Sequence, residues 1–584
     1  MQLKKSPTLK TPVNTGLKTA LSVLTLTGCL AIGSAQAADA GPRHHAQGQY
    51  DSVTATYVVV EGDDLIAISE RFEIPVDALK AQNTLSSDTI KVGDTLAIGG
   101  ADAGTESARE AMKTQAASIP DTVQTAAGEL TFFDGVPIGN TNDLVYDYLD
   151  RSRALGVYLD NVGAVSIYSV LLGMAQQGAD APNKIAIWEQ LMDSRTPVIT
   201  SNTSTMYAYA PTDLAKDGPT VIEIPPGMLG FLDDAWQRFV GNMGVTGPDK
   251  GKGGKYLVLP PGYEGEIPDG YFLLKPKTNK NFLFLRGSIK DGLEAAADNF
   301  KSGLKVYPLK DKDNPAPTEF VNMSGRSFST IFPSTLEYFD ILNTIVQEEP
   351  LDAIGPEVRG YLSAIGIVKG KPFNPDDRMK KLLAEAATLG NAAGRSITYD
   401  PRISGVYIYP DTKSNWVTAY ADRNTSFEAD GAMNLDARVL FYYNAGGVTP
   451  AMATTHVGAG SDYALAFLDN DEKPFDGAKT YKLHLPPNVP VNNFWAVTLY
   501  DTQTRTQLQT SQLFPTVGSQ TNGFEKNADG SFDVYFAPEA PKGKEGNWLQ
   551  TVPGKSWFVI LRMYGPLAPW IDKTWRPGEI ELID

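Results

Sequence analysis

Hydrophobic positions along this chain change their period several times, and each change marks a different kind of element. Residues 57–98 carry the densest signal. Tyr57-Val58-Val59-Val60 is a β-branched and aromatic run that suits a strand. Gly62 then allows a tight turn, and Asp63 is placed to cap a helix through its carboxylate. Leu65, Ile68, Ser69 and Phe72 recur at helical spacing, which predicts one buried face. Pro75 opens a second helix at a position where a missing amide donor is harmless. Leu79 supplies its core contact, and Asn83 is expected to end it in a left-handed conformation. Ile90 to Ile98 closes the unit with a second β-run.

Beyond residue 130 the pattern alternates between helical and extended blocks. Asn142-Asp143 precedes Leu144, Val145, Tyr148 and Leu149, and a second apolar helix is predicted over about 157–174. Short β-runs follow: Val198-Ile199-Thr200, Met206 to Tyr209, Val221 to Ile224, Tyr256 to Leu259 and Phe282 to Leu285. Pro225-Pro226-Gly227, Pro260-Pro261-Gly262 and Pro268-Asp269-Gly270 separate them as turns. Helices return between about 334 and 392. Ser334 with Glu337 reads as a capping box before the stripe Leu336, Phe339, Leu342 and Val346, and Asp376-Asp377 starts a helix bearing Met379, Leu382, Leu383 and Ala386. From Ser404 the chain is β-rich again, and Phe494–Tyr500 and Trp557–Tyr564 alternate as sandwich strands do.

The flanks change the picture. Lys4, Lys5, Lys10 and Lys18, the apolar run Ala20–Ile32 and Ala35-Gln36-Ala37 read as an export signal over residues 1–37, too short and interrupted for a stable membrane span. Leu26-Thr27-Gly28-Cys29 offers a rival reading as a lipobox, with processing and lipidation at Cys29. Either route places the protein in the periplasm or cell envelope. Residues 38–56, with His44 and His45, read as a flexible arm, and the Ala-, Gly-, Thr- and Ser-rich residues 99–130 as a linker. Cys29 is the only cysteine, so a chain cut at Ala38 has no disulfide or thiolate chemistry and must rely on a large apolar core. That cut removes four lysines and no acids, moving the formal net charge from −17 to −21. Such a field disfavours nucleic acid and anionic membrane surfaces.

The 57–98 unit resembles the LysM module, a βααβ unit that binds N-acetylglucosamine-containing glycans such as peptidoglycan or chitooligosaccharides. The resemblance implies a shallow sugar groove between the Gly-Asp turn and the loop after the second helix. Carried onto this chain, the groove comprises Gly62, Asp63, Asp64, Leu65, Asn83, Thr84 and Leu85. The chain departs from the family at Asp64, usually Thr, and at Ile66, where an aromatic residue is common. Asn202 to Tyr207, Asp213-Leu214, Val221 to Pro226 and Arg286 resemble the domain of unknown function numbered 1254. Asn493 to Asp501, Asn547-Trp548-Leu549, Leu561 to Pro566 and Trp575-Arg576-Pro577 resemble the partner domain numbered 1214. The fold class implied is α+β multidomain, a small LysM module before a mostly-β body of jelly-roll-like β-sandwiches with interspersed helices. The expected body divides into 131–330, a helical connection over 331–400, and 401–584.

No motif in the chain names a reaction. The nearest approach to a nucleophile elbow, Gly458-Ala459-Gly460-Ser461-Asp462, lacks the glycine spacing and reads as a loop. The body's two histidines, His456 and His484, are too few and too far apart in sequence for a three-ligand zinc site. Gly251-Lys252-Gly253-Gly254-Lys255 does not precede a helix and reads as a mobile hairpin loop. Asp233-Asp234 and Asp469-Asn470-Asp471-Glu472 read first as a helix start or solvated turn, with a paired-acid glycan hydrolase left open. No cofactor motif is evident, and a calcium loop at Asp469, Asp471 and Asp476 is the one metal expectation. The most suggestive set is Asn202, Tyr207, Arg286, Trp495, Arg562 and Trp575, polar and aromatic residues inside the recognised motifs. Arg562 shares a strand face with Phe558, Ile560 and Tyr564, so it either pairs with an acid in the sandwich or reaches a ligand at its edge. Aromatic walls with one or two arginines suit a carbohydrate or a small carboxylate. Two functions stay open, a glycan-bound envelope protein with a binding or scaffolding body, and a LysM-anchored hydrolase of a wall glycan or small ester. A homo-oligomer is compatible with either.

Overall fold

The computed structural model describes residues 46–51, 54–98, 119–453 and 456–583, divided between a unit ending at Asp121 and a unit spanning Thr122–Asp584. The export signal with Cys29, His44-His45 and most of the expected linker lie outside the described residues.

In the first unit β1 (Gln49–Asp51), β2 (Thr56–Val58) and β3 (Thr95–Ala97) form an antiparallel sheet against helices Leu65–Phe72 and Val76–Gln82. Thus the end of the expected arm is a paired strand, with Gln49 opposite Val58. The core is Tyr57, Val59, Leu65, Ile68, Leu79, Leu96 and Ile98. Asp64, not Asp63, caps the first helix, accepting from the Ala67 amide at 2.7 Å. Asn83 is not left-handed (φ −102°); Thr84 is, at φ 53°. Asn83 is held by its side chain, which donates to the carbonyls of Leu79 and Ala97 and accepts from the Ala97 amide.

The second unit starts inside the expected linker, with β4 (Thr122–Thr125), β5 (Gly128–Phe133) and β6 (Val136–Ile138) in one small sheet. The first helix then runs the whole of Thr141–Asp160, longer than its apolar start indicates, and bends by 58° into Val162–Gln176. A first sandwich follows. Its strands are β7 (Lys184–Ile187), β8 (Met206–Asp213), β9 (Thr220–Ile224), β10 (Leu229–Asp234), β11 (Phe239–Gly244), β12 (Gly254–Val258), β13 (Phe272–Leu274), β14 (Lys280–Gly287), β15 (Lys305–Pro308) and β16 (Glu319–Asn322). They form a six-stranded sheet, β11-β10-β14-β8-β7-β16, and a four-stranded sheet, β13-β12-β9-β15. Val198-Ile199-Thr200 is not a strand. Thr200 turns the chain at φ 43°, where its amide meets the Arg505 carbonyl.

Beyond β17 (Trp416–Val417) and a hairpin of β18 (Glu428–Ala429) and β19 (Ala432–Met433) comes the second sandwich. It uses β17 with β20 (Ser461–Ala466), β21 (Tyr481–Leu485), β22 (Val491–Asp501), β23 (Thr516–Gly518), β24 (Phe532–Ala537), β25 (Trp548–Gln550), β26 (Trp557–Pro566) and β27 (Ile580–Leu582). The sheets are β17-β20-β26-β22-β23 and β25-β24-β21-β27. Strict alternation along β26 sends Trp557, Val559, Leu561 and Met563 into the sandwich and Phe558 and Ile560 to its other face. Trp557 stacks between Phe475 and Phe536, with ring centroids 4.1 and 4.8 Å away.

The helices fill the space outside the five-stranded sheet. Helices Thr141–Asp160, Glu337–Glu348, Asp377–Tyr399 and Leu435–Asn444 share one core with Tyr500, Phe558 and Ile560, so the three expected body segments form one unit. Gly390 lets two helices approach; a Cβ there would stand 2.1 Å from the Tyr158 ring. Asp376 caps its helix through the Met379 amide as expected. The expected Ser334–Glu337 box does not form. That helix begins after Leu336, without a side-chain cap, where the Thr335 and Leu336 carbonyls take the Tyr338 and Phe339 amides in tight turns.

Glu349, just past this helix, is buried and accepts from the amides of Asn279 and Lys280. Burial pushes its carboxyl up to about 7, against the pull of those amides and with Asp234 and Glu348 adding to the rise. Its folded value lies above the unfolded one, so the folded state holds the proton longer. Stability from this group is greatest in acid and falls as pH rises from about 4.5 to about 7, by up to about 3 kcal/mol. Denaturant titrations across that window should show the slope in the wild type and its loss in Glu349→Gln.

Candidate functional site

The body's most chemically loaded cavity lies where the outer face of the six-stranded sheet meets the outer face of the five-stranded one. Period-2 alternation puts Leu283 and Leu285 of β14 into the first sandwich and leaves Phe282, Phe284 and Arg286 facing the cavity, beside Tyr207 and Tyr209 of β8. Tyr463 and Leu465 of β20 and Ile560 and Arg562 of β26 line the opposite side. Tyr207 is the register partner of Arg286, and Tyr463 of Arg562, so each sheet contributes one tyrosine–arginine pair. The cavity measures about 90 Å³, and its remaining wall is largely apolar, including Ile167, Val198 and Phe441.

Both arginines are only 5 % exposed, and neither has a carboxylate partner among the described residues. Arg562 donates through Nη2 to the Thr200 carbonyl (2.6 Å) and the Tyr500 hydroxyl (2.7 Å), which in turn donates to the Ser201 carbonyl (2.7 Å). Arg286 donates through Nη2 to the Met452 sulfur at 2.9 Å and lies against the Tyr463 hydroxyl. The Arg562 guanidinium carbon is 5.3 Å from the Tyr463 ring centre. The Nε atoms of both arginines, the Tyr420 hydroxyl and the Asn444 amide oxygen are buried on this lining without a protein partner. Burial opposes charge on both guanidiniums, yet the surrounding phenol oxygens, Tyr463 and Tyr207 for Arg286 and Tyr500 and Tyr564 for Arg562, hold both firmly protonated. Burial likewise raises the Tyr463 hydroxyl, but Arg286 and Arg562 outweigh it and bring the phenol below its ordinary value. Tyr564 and Tyr420 move the opposite way, pushed up by burial.

Of the six residues singled out from sequence, Tyr207, Arg286 and Arg562 line this cavity. Asn202 stands behind them, its amide donating to the Tyr207 hydroxyl at 2.5 Å while its oxygen accepts from Ser204 and Thr205. Trp495 and Trp575 lie elsewhere, in the interior of the second sandwich. Trp495 is opposite Met563 in register, and Met563 points away from the Arg562 face. Trp575 packs beside Trp570 and donates to the Pro487 carbonyl. Arg562 therefore meets neither an acid nor a sandwich edge, but a cavity between two sandwiches. Tyr463, Tyr500 and Tyr420 escaped the sequence reading; only the alternation of β20 against β26 could have paired Tyr463 with Arg562.

The other candidates are tied to the backbone. Asp233 and Asp234 form neither a helix start nor a solvated turn. They are buried at the end of β10, Asp233 accepting from the Val448 amide and Asp234 paired with Arg238. Asp469 accepts from the amides of Asp471 and Lys473, and Asp476 from that of Ala478. No three His, Cys, Asp or Glu side chains converge as a cation site among the described residues. His484 is at the surface, 2.8 Å from Asp533, and His456 is exposed. In the first unit Gly62, Asp64 and Thr84 are exposed, Leu65 is core, and Leu85 packs against that core. Asp63 and Asn83 are engaged in internal hydrogen bonds. Ile66 is 63 % exposed beside this face.

Residues 57–99 match the LysM domain, residues 182–308 a protein family of unknown function, DUF1254, and residues 460–568 a second, DUF1214. The chain therefore carries these three domains in that order. No curated protein matches the chain. A crystal structure of a Vibrio parahaemolyticus protein is 17 % identical with a TM-score of 0.44, covering 74 % of this chain and 100 % of that one. An uncharacterised protein from Burkholderia cenocepacia is 13 % identical with a TM-score of 0.35, covering 76 % and 97 %. No single described helix is long and apolar enough to cross a membrane.

Proposed function

We propose that this is an exported cell-envelope protein that holds to peptidoglycan, or a related N-acetylglucosamine glycan, through its LysM domain, and whose body captures a small organic anion between its two sandwiches. The observation that carries the second half is the pair Arg286 and Arg562, buried without a carboxylate among the described residues. Removing one guanidinium from water costs several kcal/mol unless an opposite charge or full hydrogen bonding offsets it. An anion between the two supplies that offset, and their free Nε atoms give it donors. Tethering on the wall raises the local concentration of the body wherever such anions are released.

The alternative, a glycan hydrolase, needs two carboxyls flanking a bond, roughly 5–9 Å apart. Asp233 and Asp234 are instead adjacent in the chain, and Asp234 is neutralised by Arg238. Calorimetric titration of the full chain with short carboxylates, alongside co-sedimentation with purified peptidoglycan, tests both halves. The expected result is independent binding of each ligand, with only sedimentation lost on deletion of residues 57–98. Sedimentation that survives the deletion overturns the tethering, and heatless titrations overturn the anion site.

A further inference from the structure

The Arg286–Arg562 cavity holds a third polar group that the anion-capture reading leaves without a task. Tyr463 lies in register with Arg562, whose guanidinium carbon is 5.3 Å from its ring centre, and its hydroxyl lies against Arg286 from the other sheet, so both guanidiniums act on it. We infer that Tyr463 is the resident counter-ion of the two arginines, and that the ligand is a short-chain monocarboxylate that replaces it, entering together with one proton. This rests on the anion-capture reading and adds to it the ligand's class and its proton.

Size and lining select the class. Cavities of roughly 150 Å³ admit a benzene ring, and this one is about 90 Å³, so the ligand has fewer heavy atoms than that ring. Dicarboxylates and sugars exceed this. Sulfate and phosphate fit by size, but Ile167, Val198, Phe282, Leu465 and Ile560 offer their outer oxygens no partner. A short alkyl chain suits those walls and leaves the carboxylate to the arginines.

Charge then sets the stoichiometry. Around Tyr463 stand Arg286 from β14, Arg562 and Tyr564 from β26, Tyr420, and Ser461 on its own strand, while Tyr207 and Tyr500 meet it through Arg286 and Arg562. Asp462 points to the other face, bonded to Arg423 and Trp570, and Asp233 acts on Tyr420. With the cavity empty, the two guanidiniums bring the phenol below its ordinary value, and above that lowered value the ring carries the phenolate. A carboxylate seated on them takes over that role and repels a second anion, so the phenolate accepts a proton from solvent and becomes a neutral phenol. One O–H bond forms, no other covalent bond changes, and the cavity's charge stays constant. Proton uptake on binding means that affinity is highest in acid and falls as pH rises through the phenol's ligand-free value.

The full chain should be titrated with acetate and propionate, and with butyrate and lactate as six-heavy-atom size controls expected to bind more weakly, in buffers of different ionisation enthalpy between about pH 6 and 10. The expected proton uptake approaches one per ligand on the alkaline side, where affinity drops by up to about tenfold per pH unit. The wild-type tyrosinate absorbance in the near ultraviolet should fall as ligand is added, a readout that needs no variant. Tyr463→Phe should remove the uptake and the pH slope, bind as well as wild type in acid and bind more tightly in alkali. Equal proton uptake in wild type and Tyr463→Phe overturns the inference while leaving anion capture standing. Tighter binding of sulfate or phosphate than of propionate overturns the assigned class. If neither wild type nor Tyr463→Phe binds any short carboxylate at any pH, both the inference and the anion reading fall.

Discussion

Substituting methionine for Arg286 is expected to weaken short-carboxylate binding by about 2–5 kcal/mol, roughly thirty-fold to several thousand-fold, while the ligand-free protein melts no lower than wild type. The two effects diverge because Arg286 gives the fold so little. Its Nη2 meets the Met452 sulfur, its Nε has no protein partner, and its other polar neighbours are phenols, Tyr463 first among them, which stay neutral once the guanidinium is gone. Replacing such a buried charge by an apolar chain of similar length is neutral or stabilising by up to about 4 kcal/mol. Methionine also keeps the contact with the Phe284 ring, 5.2 Å from the guanidinium carbon in the wild type. Arg562→Met should lose affinity similarly but fail to gain stability, because it strands the Thr200 carbonyl and leaves the Tyr500 hydroxyl only its bond to the Ser201 carbonyl. Calorimetry for binding and scanning calorimetry for stability separate the cases. If Arg286→Met lowers the melting temperature as much as Arg562→Met does, Arg286 serves the fold, and the cavity has lost its main claim to a ligand.

The sequence made some of this site legible and hid the rest for identifiable reasons. Alternation along Trp557–Tyr564 was enough to put Arg562 on the face opposite Trp557 and Met563, which is where it lies. The same rule excludes Trp495, but only once its register against Met563 is known, and register is a long-range property. Tyr463 was silent because a tyrosine in a strand is unremarkable until its cross-strand neighbour is an arginine. The LysM core was readable almost residue by residue from local spacing. Its caps were not, since Asp63 and Asp64 are chemically equivalent candidates and only the chain's path decides between them. The burial of Asp233 and Asp234 is hidden in the sequence for a related reason. Adjacent acids usually face water, and the Val448 amide and Arg238 that permit their burial at the strand end are supplied by the tertiary structure.

That path through the LysM domain gives Asp63→Ala a larger effect than any exposed residue on the expected sugar face. The Asp63 carboxylate accepts from the Tyr57 hydroxyl at 2.7 Å and from the amides of Val60 and Gln47 at 2.8 and 2.7 Å. It thereby ties β1, β2 and the turn before the first helix together. Burial tends to raise its pKa, but the Val60 and Gln47 amides and the Tyr57 hydroxyl win and hold it below the ordinary carboxylate value. A depressed folded value means stability that is present above the unfolded pKa of about 4 and lost as pH falls below it. Hydrogen bonds to a charged group contribute about 1.5–3 kcal/mol each, so losing three costs upwards of about 4 kcal/mol. A module this small, without disulfides, rarely has more than about 3–5 kcal/mol in reserve. In the full chain, Asp63→Ala should therefore erase the LysM melting transition and peptidoglycan co-sedimentation together, while the body's transition and its carboxylate binding persist. Thr84→Ala and Asp64→Asn should leave the LysM transition in place and change sedimentation alone. Sedimentation that survives Asp63→Ala would mean that the glycan is held elsewhere, because an unfolded LysM domain offers no groove to hold it.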